Sequence, residues 1–265
     1  MLTSLRRGTA IALPVLTLSV LSTACDIVTA DLKHSVKAEW RKTYTLDPGG
    51  RVEISNVNGR IRVEPSEGRQ VEVVAEKKGR GISEDAARQA VDRIEIKEDV
   101  SAGSIRIETR TPRMNGPFSG STEVIYSVHV PSDAEVRFTT VNGGIELSGL
   151  TNRIKAETTN GGITARNVSG AIDAATTNGG VDVDLTKVAG GGVTLGCVNG
   201  GIKLRLPADA AATISASVAN GGVDAEGLKL DTTESTRRSL EARMNGGGPS
   251  IKIEGTNGGI KIAAR

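Results

Sequence analysis

The chain has 265 residues; 37% are apolar, only 2% are aromatic and 33 are glycine, so any core must rest on Val, Ile, Leu and Ala. Such a core suits narrow, regular β layers, and the absence of a G-X-Y period together with only 8 prolines excludes collagen. A formal charge of +2, from 33 basic and 31 acidic residues, gives no argument for nucleic acid, and two distant cysteines exclude a disulfide scaffold or a zinc ribbon.

Residues 1–24 read as an export signal. Arg6 and Arg7 form a basic head, Ile11 to Leu21 an apolar run broken by Pro14, and Ser22-Thr23-Ala24 a small-residue exit. The apolar run is too short to span a bilayer comfortably. Leu21-Ser22-Thr23-Ala24-Cys25 resembles a bacterial lipobox, although Ser22 stands where Leu is usual. The resemblance implies a lipid on Cys25 and a membrane-anchored lipoprotein of the cell envelope, facing the periplasm or the exterior. Acyl chains contribute about 0.8 kcal/mol per buried methylene, so two or more anchor stably. Ordinary cleavage, before Cys25 or after Val28-Thr29-Ala30, is the alternative. Residues 25–39, polar after the cysteine and without apolar periodicity, read as a tether. Once residues 1–24 are removed, 31 basic residues face 31 acidic ones, and the mature chain is formally neutral.

Residues 40–135 carry strand-like stretches without a strict repeat: Val52–Ser55, Ile61–Glu64, Val71–Lys77, Ile94–Glu98, Ser104–Thr109 and Glu123–Val130. One short helix is expected among them, with Ser83 as N-cap and a stripe of Ala87, Ala90, Val91 and Ile94. Pro112 to Gly120, containing Asn115-Gly116-Pro117, reads as a loop. This module is expected to cap the C-terminal half of the chain, because uncovered strand edges invite aggregation.

Residues 136–265 are organised by a repeat. Asn-Gly-Gly recurs at Asn142, Asn160, Asn178, Asn199, Asn220, Asn245 and Asn257, and a single Asn-Gly stands at Asn58. Aligned on the Asn, the neighbours fall into columns. Three residues after it stand Ile145, Ile163, Val181, Ile202, Val223 and Ile260; six before it stand Val136, Ile154, Ile172, Val193, Ile214 and Ile251. Apolar and polar residues alternate on both arms, so each repeat is two short half-buried strands joined at the Asn-Gly-Gly corner.

An antiparallel meander and a parallel solenoid would bury the same residues. The charges separate them. A two-residue hairpin would oppose Lys155 to Arg166 and Asp173 to Asp184, which is unfavourable. Stacking successive repeats instead alternates sign in three columns. These are Arg166, Asp184, Arg205, Glu226; Asp182, Lys203, Asp224; and Lys155, Asp173. The expectation is therefore a solenoid of about seven rungs, on the order of 30 Å long. Asn and Gly would sit at its corners because both tolerate left-handed backbone, and stacked Asn amides could bond along the axis.

The recurring unit, as in Thr139-Thr140-Val141-Asn142-Gly143-Gly144-Ile145, Thr158-Thr159-Asn160-Gly161-Gly162-Ile163 and Thr176-Thr177-Asn178-Gly179-Gly180-Val181, resembles a bacterial family of candidate adhesins, a β-strand-repeat domain of unknown function. Ile54 to Gly59 and Val128-His129-Val130-Pro131 fit the same pattern, so the resemblance covers roughly residues 45–265. It implies an all-β fold, a parallel right-handed β-solenoid with Asn-Gly-Gly corners on an envelope protein.

No catalytic, cofactor-binding or metal-binding residue is assigned, and no cofactor is expected. Asp182 and Asp184 share an outward face and are read as rungs of the charge ladders rather than as Ca²⁺ ligands. His34 lies in the tether, and His129 is read as a solvent-facing strand residue. Cys197 occupies the column of Thr140, Thr158 and Thr176, so it reads as a small inward residue. The residues singled out are Cys25 for lipidation and the seven Asn corners. They point to a non-enzymatic envelope scaffold, adhesin-like, whose partners are a membrane through Cys25 and a protein or envelope polymer, not nucleic acid. The alternatives are an envelope-stress sensor that contacts a membrane protein and a carbohydrate-active β-helix enzyme, the second disfavoured because the solenoid half is almost bare of aromatic sugar platforms.

Overall fold

The computed structural model describes residues 32–111 and 120–265. The export signal, Cys25 and the Asn115-Gly116-Pro117 loop lie outside the described residues. The first half comprises β1 (His34–Thr45), β2 (Arg51–Ser55), β3 (Ile61–Ser66), β4 (Gln70–Gly81), α1 (Glu84–Asp92), β5 (Glu95–Ser101), β6 (Ser104–Arg110) and β7 (Ser121–Pro131). Next come β8 (Glu135–Asn142), β9 (Ile145–Ser148), β10 (Ile154–Asn160), β11 (Ile163–Val168), β12 (Ile172–Asn178), β13 (Val181–Leu185), β14 (Val193–Asn199) and β15 (Ile202–Leu206). The chain continues through β16 (Ala212–Asn220), β17 (Val223–Glu226), β18 (Leu230–Ser235), β19 (Ser239–Met244), β20 (Ser250–Asn257) and β21 (Ile260–Ala264).

Among the described residues these strands form two sheets. One has ten strands in the order β1-β4-β7-β3-β9-β11-β13-β15-β21-β17, the other eleven in the order β18-β19-β16-β20-β14-β12-β10-β8-β2-β6-β5. Every Asn-Gly corner but that of Asn245 joins a strand of the second sheet to a strand of the first, so the chain coils and equivalent residues stack in parallel register. Val136, Ile154, Ile172 and Val193 meet in one row, with Phe138, Ala156, Ala174 and Leu195 in the next. All of these are buried. A fully buried Ile contributes about 1.5–3 kcal/mol, so each rung's four inward apolar positions hold it to its neighbours.

The order of the rungs is not the order of the chain. The β2/β3 rung, with Asn58 at its corner, lies between β6/β7 and β8/β9. At the other end β20/β21 lies between β14/β15 and β16/β17. The boundary expected at residue 135 therefore does not separate a cap from a solenoid, because β2, β3, β6 and β7 are rungs. The capping elements proper are β1, β4, α1 and β5. The chain leaves the stack after β3 to build most of them and returns as the outer β6/β7 rung.

The tether expected through residue 39 is also corrected. Residues 34–39 belong to β1, which pairs antiparallel with β4 along its whole length. Its inward residues Val36, Ala38, Trp40 and Tyr44 alternate at period two, but Lys42 interrupts the row and hides the pattern. The helix is as expected: Ser83 Oγ accepts from the Ala86 N–H at 3.2 Å, and Ala87, Ala90 and Val91 are buried. It lies close on β4 because Gly79 has no side chain. A Cβ there would sit 2.4 Å from the Ala87 carbonyl oxygen. At the other end the antiparallel β19 and β18 cover the second sheet. In the first sheet β17 is the edge strand, and Ala225, whose equivalents are buried in the inner rungs, is exposed.

Candidate functional site

The corner column is built from side-chain amides. Asn142 Nδ2 donates to Asn58 Oδ1 at 2.7 Å, Asn160 to Asn142 at 2.8 Å, and Asn178 to Asn160 and Asn199 to Asn178 at 2.9 Å. Asn257 then donates to Asn199 at 2.8 Å, and Asn220 to Asn257 at 2.9 Å. Six of the seven corners singled out in the sequence thus join Asn58 in one ladder. Asn245 is not in it. It has φ 49° in the turn after β19, and its Nδ2 donates to the carbonyls of Ala208 and Ala210.

Left-handed tolerance is not what places Asn in the ladder. Among the described non-glycine residues, only Asn167 and Asn245 have positive φ. The constraint falls on the glycine that comes next. A Cβ on Gly161 would lie 2.1 Å from the Gly143 carbonyl oxygen, so successive corner backbones touch. Behind the corner, Thr158 Oγ1 donates to Gly143 O at 2.9 Å and Thr176 Oγ1 to Gly161 O at 2.8 Å. Cys197 Sγ fills the same role toward Gly179 O at 3.1 Å, and burial pushes its thiol pKa up. At the first corner Asn56 replaces Thr and donates to Val124 O at 2.8 Å. The inward column of Thr140, Thr158, Thr176 and Cys197 is the one expected from the sequence; what sequence reading missed is that each member donates to a glycine carbonyl of the neighbouring corner.

The outward faces are charged. On the second sheet Arg106 meets Glu53 at 3.1 Å, and Lys155 meets Asp173 and Glu157 at 3.0 Å each, which raises the Lys155 pKa. On the first sheet Arg62 meets Glu146 straight across at 3.0 Å, whereas Arg166, Asp182 and Arg205 pair diagonally. A register shift between Ala165 and Val168 turns Arg166 toward Asp182, which it grips through two bonds of 2.8 and 2.7 Å. Arg205 reaches the same carboxylate at 2.9 Å. The Arg166 fork holds the Asp182 carboxyl below the usual carboxylate range. Asp184 has Arg265 Nε at 3.5 Å instead. Nor does Arg205 neighbour Glu226, since β21 lies between them; Lys261 of β21 takes Glu226 at 2.8 Å.

His34 begins β1 and is exposed. His129 is half-buried on β7, between Glu64 at 3.8 Å and Glu72 at 3.9 Å. Among the described residues no three His, Cys, Asp or Glu side chains converge as a metal site.

The second sheet carries a groove of about 360 Å³, open along the stack. Arg51, Glu135, Arg137, Arg153, Lys155 and Asp173 supply its charged lining, and Ala171, Gly191 and Thr194 its bare end. Arg51 is bound to Glu135 at 3.1 Å. Arg137 and Lys155 stand directly opposite each other on adjacent strands, two like charges in register.

Residues 134–263 match the protein family described as Toastrack DUF4097. Among solved structures the chain is similar to a candidate cell adhesion protein from Clostridium sporogenes, with TM-score 0.46 and 14% identity over 86% of this chain and 100% of that one. It is also similar to a candidate adhesin from Bacteroides fragilis, with TM-score 0.34 and 10% identity over 86% of this chain and 97% of that one. A third is a candidate lipid binding protein from Parabacteroides distasonis, with TM-score 0.30 and 11% identity over 88% of this chain and 97% of that one. No curated protein matches the sequence.

Proposed function

We propose, with the toastrack match of residues 134–263 as premise, that this protein is a non-enzymatic scaffold of the bacterial cell envelope. Residues 1–24 export it, lipid on Cys25 holds it to a membrane, and its stacked faces engage an envelope polymer or protein as an adhesin-like surface. The observation that supports this most directly is the unbroken amide ladder from Asn58 to Asn220 beside a filled apolar interior. Such a stack is stiff, and it repeats its outward side chains about every 4.8 Å, which suits display rather than closure around a small substrate. We assign the coil a right hand, the hand that crossovers between parallel strands of one sheet adopt.

Two measurements test the reading. Cells expressing the protein and fed radiolabelled palmitate should label the wild type and not Cys25→Ser; label in both would refute lipidation. Purified protein should pellet with bacterial envelope fragments. Failure to pellet, or crosslinking in membranes to one stoichiometric membrane protein and nothing else, would replace the scaffold reading with that of a sensor.

A further inference from the structure

We infer that the groove on the second sheet is a binding site for a linear polyanion, whose phosphodiester or carboxylate groups are held between Arg137 and Arg153. The inference deepens the scaffold reading and rests on it for the ligand's setting in the envelope. It stands on the shape and charge of the groove itself.

The shape comes from one outward column. From β2 toward β12 its side chains shrink from Arg51, Glu135 and Arg153 to Ala171, and Gly191 lies beside Ala171 in the turn before β14, so a recess opens where the column becomes bare. Gly191 stays bare because a Cβ there would lie 2.5 Å from the Ala171 Cβ. The recess spans β2, β8, β10, β12 and β14, five adjacent strands and so about 19 Å along the stack. An extended chain fits that length, whereas a single small anion would meet only one rung.

The charge of the lining is incompletely used. Arg51, Arg137, Arg153 and Lys155 against Glu135 and Asp173 give the lining itself a net +2, and Glu53 and Glu157 stand beside it, Glu157 bound to Lys155 at 3.0 Å. Along the neighbouring strands the outward signs alternate from Arg106 to Glu53, from Glu53 to Arg137 and from Lys155 to Asp173. Between Arg137 and Lys155 they do not, and directly opposed like charges are destabilising. Arg137 touches Glu53 and Glu157 only at 4.0 Å, and Arg153 touches Glu135 only at 3.9 Å. Neither guanidinium donates a hydrogen bond to a side chain among the described residues. Each offers five N–H donors in a planar fork, the geometry that grips phosphate and carboxylate in pairs. An anion seated there would satisfy the forks and relieve the like-charged step together. At the comparable step on the first sheet, Lys203 beside Lys261, Lys261 is already taken by Glu226 at 2.8 Å. A flat membrane surface is the poorer occupant, because a plane of headgroups cannot enter the recess in which the Arg137 and Arg153 forks stand, whereas an extended chain can lie along it.

The test is calorimetric titration of the full chain with sodium polyphosphate, with polygalacturonate as the carboxylate probe and phosphatidylglycerol vesicles as the headgroup probe, all in about 150 mM salt. At least one linear polyanion should bind, more weakly as salt rises. Arg137→Gln with Arg153→Gln should weaken that binding at least tenfold, while Lys203→Gln with Lys261→Gln stays within about twofold, both pairs keeping the wild-type circular dichroism and unfolding midpoint. No binding of either polyanion, equal binding by the Arg137→Gln, Arg153→Gln protein, or binding of vesicles alone would overturn the inference. Pelleting with envelope fragments separates the two claims. A protein that pellets unchanged without these arginines keeps the scaffold reading and loses the groove; one that binds polyphosphate through them and never pellets does the reverse.

Discussion

Gly161→Ala should be among the most damaging methyl additions this chain can suffer, and Gly162→Ala, one residue on, should be nearly silent. At Gly161 the new Cβ would stand 2.1 Å from Gly143 O, whereas ordinary carbon–oxygen contacts begin near about 3.3 Å, so the two corners must part by about 1 Å. Three bonds cross that gap: Gly143 N–H to Asn160 O at 2.9 Å, Thr158 Oγ1 to Gly143 O at 2.9 Å, and Asn160 Nδ2 to Asn142 Oδ1 at 2.8 Å. At about 1 kcal/mol each, their loss comes to about 3 kcal/mol. At Gly162 the nearest atom to a Cβ is Gly180 O at 3.3 Å, which a shift of a few tenths of an ångström accommodates. The lower entropy of an unfolded chain with Ala there offsets about 0.4–1 kcal/mol of that, so the net change should stay within about 1 kcal/mol of zero. Urea unfolding followed by circular dichroism measures both, through the shift in midpoint at unchanged slope. Equal midpoints for the two variants, or a Gly161→Ala protein within about 1 kcal/mol of wild type, would show that corner contact does not hold the rungs in place.

The inward hydroxyl column should be as sensitive to chemistry as the glycines are to size. Thr158→Val keeps the shape but leaves Gly143 O without its donor in a buried place, which should cost about 1–3 kcal/mol in the same urea assay, while Thr158→Ser should cost less than about 1. Asp182, whose carboxyl pKa is depressed by the Arg166 fork, contributes stability above the unfolded carboxylate value of about 3.9 and loses it as pH falls through the lower folded value. Asp182→Asn should therefore unfold more readily than wild type at pH 7, by about 1 kcal/mol for a partly screened pair, and the gap should close below about pH 4; a gap constant with pH would contradict the assignment. Deleting residues 250–265 removes an internal rung and the buried Ile251, Ile253, Ile260 and Ile262, together about 6–12 kcal/mol. Amide hydrogen exchange should then show loss of protection reaching back through β16 to β19, not a stack shorter by one end.

The coil itself was legible in the sequence because two independent signals agree. Inward columns such as Val136, Ile154, Ile172 and Val193 show two alternating arms, and the charge pairs rule out folding those arms back on each other. Lys155 and Asp173 meet at 3.0 Å in the stacked arrangement that the charges favoured. What remained hidden was of two kinds. Some features depend on one irregular residue, as when the register shift before Val168 turns Arg166 from Asp184 to Asp182. Others depend on what lies across the axis, which period-two alternation does not encode. Lys42 breaks the inward row of β1, so residues 34–39 read as tether until β4 is seen beside them. The like-charged step of the groove was within reach of the sequence, since Arg137 stands five residues before Asn142 in the same column as Lys155 and Asp173; the recess itself depends on the small residues Ala171 and Gly191 beside it.

The order of the rungs is the deepest case. Every inner corner carries the same Asn amide, the same close-packed glycine and the same pair of inward apolar positions, so one rung is nearly as good a neighbour as another. Local pattern then fixes the coil and leaves its sequence of stacking to the connections. The turn from Leu206 to Ala212 carries the chain from β15 to β16, but the Asn220 rung is held one place further out, with Asn257 donating to Asn199 beneath it and receiving from Asn220 above. The hairpin of β18 and β19 makes this possible, because it folds against β16 and returns the chain to the vacant row. The same device operates at the opposite end, where β4, α1 and β5 carry the chain out from β3 and back to β6. At the C-terminal end the outer β16/β17 rung is built away from β14/β15 and β20/β21 closes the space; at the N-terminal end the outer β6/β7 rung lies directly on β2/β3, and the chain then crosses to the far side of β2/β3 to begin β8/β9. Neither end can then be extended or removed one repeat at a time, as in a solenoid wound strictly in order. The antiparallel strands β5, β18 and β19 at the ends of the second sheet, and β4 beside β7 in the first, arise from the same excursions, so there termination of the stack and interleaving of its ends are one structural solution.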